Sequence, residues 1–471
     1  MVFSSATFLF YFFPAFLLAY YFLPWKNAVL LLGSLLFYAW GEPRFVPLLM
    51  FSALLNYSFG QLIARSERQA KQLLWLGVAF NIGLLANYKY AGFLAEIVNQ
   101  IILPWHGQIA VPQIVLPLGI SFFTFQGISY LIDVYRKEIT AQKSFWLFAM
   151  YKAMFPQLIA GPIVRYRQIA HEIEHREIGN ARMWAGLQQF IVGLTQKVMI
   201  ANAVGLSVDR IFSIDTAQLG TASAWFGIAC YTIQIFYDFA GYSNMAIGIG
   251  HMIGFTYPPN FEQPYSSRSL TEFWRRWHIS LSSWFRDYVY IPLGGNRASP
   301  LRTYFNLALV FFLCGLWHGA AWTFVIWGCW HGLILIVERA GFGRALARLP
   351  WPLTQAYTML IVMVGWVFFR ADSVSHALHY LLAMTGLQTA DGSLHPLQMD
   401  CSPSAMAALV IGALLAMSRL ETIKEALDNT VYRTAGRHMP TVATIATVLA
   451  YVFSIASLAS GTYNPFIYFR F

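Results

Sequence analysis

Two Trp-His-Gly triplets, Trp317-His318-Gly319 and Trp330-His331-Gly332, lie 13 residues apart in an apolar stretch that reads as a hairpin of two spans. An imidazole among apolar residues is costly unless it is partnered or faces water, which makes it a functional candidate. Near neutral pH an imidazole can take a proton from an attacking hydroxyl or thiol and return it to a leaving group. His318 is the central catalytic candidate. The competing reading is a hydrogen-bonded histidine that locks helices together, and for His331 that reading is favoured. The glycine after each histidine permits close approach of another helix or of a substrate.

Upstream, the segment 262–302 interleaves aromatic and charged side chains at helical spacing. It contains Glu272, Trp274, Arg275, Arg276, Trp277, His278, Ser280, Arg286 and Asp287, and then Leu293-Gly-Gly-Asn-Arg297. Two readings stand. One is an amphipathic helix in the headgroup region with snorkelling arginines. The other is a helix lining a polar cavity, with Arg275 and Arg276 on phosphates or a carboxylate and His278 facing the reacting group. Asp238 is the main acid in an apolar span, either partnering an arginine or histidine or hydrogen-bonded in the core.

Cys314, His318, Cys329 and His331 are of metal-ligand type, but Cys-x3-His followed by Cys-x-His is not a usual zinc pattern, so no metal site is expected. In Cys-x-His on a helix the side chains also point apart. The four cysteines give no disulfide framework, and there is no Gly-x-Ser-x-Gly elbow or phosphate-binding Walker loop. His171 and His175, one helical turn apart in the mixed-charge segment 161–183, read as part of a solvated face.

The elements that must position these residues are membrane helices. The chain has 471 residues, 58% hydrophobic and 11% charged, against about 25% charged in soluble proteins. Apolar runs recur along its whole length and predict an all-α polytopic membrane protein of about ten to twelve spans, with re-entrant or amphipathic pieces. The residues at 1–24 lack a basic n-region and a cleavage site and read as a retained first span. The net charge of +10 is explained by Lys and Arg collecting in cytoplasmic loops, not by nucleic-acid binding. Placing the basic loops inside puts the N-terminus, the acidic 371–402 loop and the C-terminal tail outside.

Taken together, these residues resemble the membrane-bound O-acyltransferase family, in particular its bacterial alginate O-acetylation branch. The markers are Met1-Val-Phe-Ser-Ser5, Tyr237-Asp-Phe-Ala-Gly-Tyr-Ser243, Thr271 to Tyr288, Leu293-Gly-Gly-Asn-Arg297, Gly315-Leu-Trp-His-Gly319, Trp330-His-Gly332 and the closing Tyr463-Asn-Pro-Phe-Ile-Tyr-Phe469. The resemblance covers nearly the whole chain and implies one membrane domain over 1–471, with a catalytic core at about 114–340 around a central tunnel. It implies catalysis by His318 with His278 as the second polar position. Arg275, Arg276, Trp277, Trp317 and Asp238 would shape the donor's tunnel. The implied donor substrate is acetyl-CoA, with no permanently bound cofactor. The implied acceptor is reached from the periplasmic side of a bacterial inner membrane, through a separate acetyltransferase partner that serves an exopolysaccharide. Residues 419–440 are short compared with that branch, which leaves the polymer open among alginate, cellulose, other exopolysaccharides and peptidoglycan. D-alanyl transfer to teichoic acids is the alternative within the family. A transporter or export scaffold whose histidines only pack helices is the alternative outside it.

Overall fold

The computed structural model describes residues 1–105, 107–297, 299–387, 397, 400–418, 439–461 and 463–467. Among the described residues all regular structure is helical, as lipid requires of a chain that does not close a barrel. Five helical stretches are long and apolar enough to cross a bilayer: Pro43–Arg65, Asn180–Ser213, Pro300–His318, Trp322–Leu346 and Trp351–Arg370. Thr7–Phe22, Pro403–Met417 and Thr444–Ser460 are apolar but shorter. Together these are fewer than the ten to twelve spans expected, and other helices among the described residues are shorter or more polar. An example is the buried, polar-studded helix Ile120–Tyr135. The 419–440 connection and the last residues of the closing motif lie almost wholly outside the described residues.

The chain divides into two compact units, and residues 114–340 fall in both. The first comprises Met1–Leu187 with Ala246–Pro258. It contains α1 (Phe13–Phe22), α2 (Lys26–Gly41), α3 (Val46–Arg65), α4 (Ala70–Leu85), α5 (Ala91–Ile102), α6 (Ile120–Tyr135), α7 (Phe145–Ala153), α8 (Phe155–Leu158) and α9 (Tyr166–Glu174). Its opening motif packs Phe3 against the rings of Phe8, Phe37 and Phe155. Asn56 of α3 and Asn81 of α4 exchange reciprocal amide hydrogen bonds of 3.1 and 2.9 Å, the polar glue that membrane helices use where apolar burial gives no drive. His171 and His175 are exposed, in line with a solvated face, whereas Arg165 of the same segment is buried.

α10 (Asn180–Thr195) and α12 (Thr221–Met252) contribute residues to both units. The second unit adds α11 (Asn202–Ser213), α13 (Leu270–Arg276), α14 (Ile279–Phe285), α15 (Pro300–His318), α16 (Trp322–Val337), α17 (Gly343–Leu346), α18 (Trp351–Arg370), α19 (Val374–Thr385), α20 (Pro403–Met417) and α21 (Met439–Ser460). α15 and α16 form the expected hairpin and cross backbone on backbone. A Cβ on Gly315 would lie 2.4 Å from the Phe324 carbonyl oxygen, and one on Gly328 would lie 2.3 Å from that of Phe311. Only glycine permits that approach. The Leu293-Gly-Gly-Asn-Arg297 motif is a turn with Gly294 and Gly295 at positive φ. It is pinned to α15 by the Asn306 amide, which donates to the Leu293 carbonyl at 3.1 Å. The motif therefore sets where α15 starts, and so where His318 falls at its end.

Candidate active site

Within the segment 262–302, read as helical, the helix is broken at His278. α13 ends at Arg276, His278 takes the left-handed conformation (φ 44°), and α14 starts at Ile279. For a non-glycine residue that conformation costs about 1–2 kcal/mol, so something must hold it. Asn260 does: its backbone carbonyl accepts the Ile279 N–H at 3.0 Å. Its side-chain Oδ1 accepts the Ser280 hydroxyl at 2.8 Å and the Ser280 N–H at 3.3 Å. The start of α13 is fixed by Glu338, whose carboxylate accepts the backbone N–H groups of Leu270 and Thr271 at 2.7 and 3.0 Å. An acid at a helix N-terminus satisfies orphan donors and complements the dipole.

His278 is fully buried. Its Nδ1 lies 3.2 Å from Asn260 Oδ1. Because Oδ1 also faces two Ser280 donors, it is the amide's oxygen and not its nitrogen. His278 Nδ1 must therefore carry the hydrogen and donate, which leaves Nε2 with the lone pair. Nε2 has no hydrogen-bond partner among the described residues. Burial, and secondarily the neighbouring His318, holds the imidazole well below its ordinary pKa range, so its neutral form persists into mildly acidic pH.

His318 commits its Nδ1 by another route. As the last residue of α15 it donates from Nδ1 to the Cys314 carbonyl one turn back, at 2.7 Å. A carbonyl only accepts, so the lone pair again sits on Nε2. The imidazole is boxed edge-on by Trp317, Trp327 and Phe369, with ring centroids 4.9, 4.8 and 5.4 Å away. His278 also meets Trp317, at 6.0 Å. The two imidazoles thus flank one indole, and both are set to accept a proton.

The other candidates fall elsewhere. Trp277 packs in the core against Phe273 and Trp366. Arg275 is exposed and Arg276 half-exposed; they do not face His278, but line an open hollow of about 660 Å³ with Glu262 and Glu272. Arg276 pairs with Glu272 at 2.9 Å. The helical phase that turns Phe273 and Trp274 inward turns the arginines out. Asp238 partners neither an arginine nor a histidine: it forms a buried ion pair with Lys197 at 2.6 Å and accepts the Ile467 N–H at 2.7 Å. Lys197 also donates to Asn202 and to the Pro465 carbonyl. The pair thereby docks the closing motif, with Tyr463 bonded to Asp209 and Phe466 stacked on Tyr242.

The four metal-type residues are not gathered: Cys329 is exposed, His331 is buried among tryptophans, and Cys314 Sγ is 3.9 Å from His318 Nδ1. Asn260, Glu338, Trp327, Phe369 and Lys197 were not singled out in the sequence. Glu338, an acid closing an apolar run, offered a signal; Asn260 offered none.

The match to known sequences runs along this framework. Residues 137–369 match the model of the membrane-bound O-acyltransferase family. The chain is 39% identical, over the full length of both, to a protein of Azotobacter vinelandii described as "Probable alginate O-acetylase AlgI". It is 36% identical to a peptidoglycan O-acetyltransferase of Helicobacter pylori over 82% of this chain and 80% of that one. A teichoic acid D-alanyltransferase of Bacillus subtilis is 30% identical over 44% of this chain and 55% of its own. The histidine pair, the Trp317 indole between them and the glycine-crossed hairpin therefore belong to a membrane acyltransferase, and the chain is a member of the membrane-bound O-acyltransferase family.

Proposed function

We propose that this enzyme moves acetyl groups from cytoplasmic acetyl-CoA across the bacterial inner membrane to an acceptor on the periplasmic side. A separate acetyltransferase then passes them to an exopolysaccharide. The observation that carries this reading is the pair of imidazoles flanking Trp317, each committed at Nδ1 as a donor so that Nε2 is the nitrogen left to accept. His318 takes the proton of the acceptor hydroxyl as its oxygen bonds to the acetyl carbonyl carbon. The thioester C–S bond then breaks, and the imidazolium returns that proton to the departing thiolate, so the balance is one ester and one thiol. His278 Nε2 accepts the hydroxyl's one hydrogen bond as the acceptor arrives, and the hydroxyl then turns that hydrogen to His318 for the attack. The aromatic box around His318 excludes bulk water, which would otherwise compete as acceptor.

Orientation follows from the basic loops. It puts the Arg275–Arg276 hollow on the donor side, where guanidinium groups suit the phosphates of coenzyme A. It puts a second hollow, of about 230 Å³, on the acceptor side; Phe324, Phe369, Arg370, Asp209 and Asp372 line it, and Phe369 is shared with the wall of His318. Acetyl rather than D-alanyl transfer is favoured by full-length identity to the alginate O-acetylase against partial cover of the D-alanyltransferase. The deciding experiment reconstitutes the purified protein in liposomes with labelled acetyl-CoA and candidate acceptors. Label should reach a periplasmic-type acetyltransferase or a polysaccharide hydroxyl and be lost with His318→Ala. Unchanged labelling in that variant would refute the assignment.

A further inference from the structure

We propose that Asn260 is a positioning residue of the transfer reaction, fixing which nitrogen of His278 bears the proton and thereby keeping the Nε2 lone pair turned to the site. This rests on the reading that His278 acts in the reaction.

Asn260 is 2% exposed and precedes the site by 18 residues, on the segment between α12 and α13. Its amide can be placed in only one sense. The Ser280 backbone N–H, which cannot accept, points at Oδ1 at 3.3 Å, and the opposite end, Nδ2, donates to Ser243 Oγ at 3.1 Å. With both ends committed, Oδ1 presents an acceptor to His278 Nδ1 at 3.2 Å. The amide thus acts as a fixed template for the imidazole, and α14 and α12 hold the template. The backbone carbonyl of the same residue stabilises the left-handed turn at His278 through Ile279, so one residue sets both the direction and the tautomer of the ring. The other groups facing the imidazole are the rings of Phe239, Phe261 and Trp317 and, as the titratable one, His318.

A purely structural role is the alternative, since an asparagine bonding the first N–H groups of α14 is also a helix cap. Aspartate separates the two. It caps a helix as well as asparagine does, but its carboxylate stabilises the protonated imidazole. The test uses full-length protein in liposomes, with turnover of labelled acetyl-CoA followed from pH 5 to 9 for wild type, Asn260→Asp and Asn260→Ala, and His278→Ala as the control. For Asn260→Asp the acid limb of kcat should move up by about one pH unit or more, with near-normal turnover at alkaline pH. For Asn260→Ala, kcat should fall by about tenfold to a hundredfold while KM for acetyl-CoA holds. An Asn260→Asp profile that superimposes on wild type would overturn the proposal. So would accumulation of neither variant in the membrane, which would make Asn260 a folding residue. Full activity in His278→Ala would instead sink the underlying reading of His278, whatever the Asn260 variants do.

Discussion

The two Trp-His-Gly triplets are alike in sequence and opposite in chemistry. His318 ends α15, donates from Nδ1 to a backbone carbonyl and carries its lone pair on Nε2. His331 sits inside α16, where Nδ1 faces the indole N–H of Trp274 at 3.4 Å. That donor makes Nδ1 the acceptor and puts the hydrogen on Nε2. The His331 ring is also wedged against α18: a Cβ on Gly365 would lie 2.7 Å from Nε2. The glycines do not differ in this way: the space beside Gly319 is filled by the Phe324 ring and that beside Gly332 by Phe311 and Ala308. Both serve helix approach. On the proposed mechanism, what separates the reacting histidine from the packing one is the partner on Nδ1, and no triplet encodes that.

Alanine substitutions test the contrast most severely. His318→Ala should abolish acetyl transfer, a loss of at least about a hundredfold for a removed general base, with membrane abundance near wild type. Polymer acetyl content beside immunoblotted membranes reads both. His278→Ala should also cost about a hundredfold. Its stability should fall more than that of His318→Ala, because loss of the side chain relieves nothing of the left-handed backbone and opens a cavity beside Phe239 and Trp317. Normal acetylation in either variant would place the chemistry elsewhere.

Gly365→Ala sharpens the comparison from the other side. The new methyl would meet His331 Nε2 at 2.7 Å, and the ring is held by Trp274, Trp327 and Trp366, so it has little room to give. Overpacking of this kind costs about 1–3 kcal/mol, visible as a lowered midpoint of thermal unfolding in detergent. An unchanged midpoint would mean that the wedge is loose and that His331 has freedom to do more than pack.

The costly polar groups were legible in the sequence because apolar surroundings make them conspicuous: His318, His278 and Asp238 each stand out in that way. Their partners were not. Lys197 is distant in sequence from Asp238, and Asn260 lies outside any periodic pattern, so neither pairing leaves a local trace. The break at His278 was hidden for the same reason. Nothing between Thr271 and Tyr288 is a helix breaker; the turn is imposed by Asn260 through tertiary contact. Arg275 and Arg276 were legible as cations but not in direction, because their side of α13 is decided by Phe273, Trp274 and Trp277 packing inward. The hairpin was legible, and so were the glycines that let it close.

The smallest expected effect discriminates best between the triplets. In His331→Gln the side-chain oxygen can still accept from Trp274 Nε1, so the buried indole N–H keeps a partner, and the slimmer chain does not press on Gly365. Loss of ring contacts with Trp274 and Trp327 should lower stability by about 1 kcal/mol. Transfer should stay within about threefold of wild type, because a packing residue acts on the reaction only through the fold. The two readouts must be taken on the same preparation, acetyl transfer in liposomes and thermal unfolding in detergent. His331→Gln that unfolds like wild type but transfers as poorly as His318→Ala would put the second triplet into the chemistry and erase the distinction drawn from the Nδ1 partners.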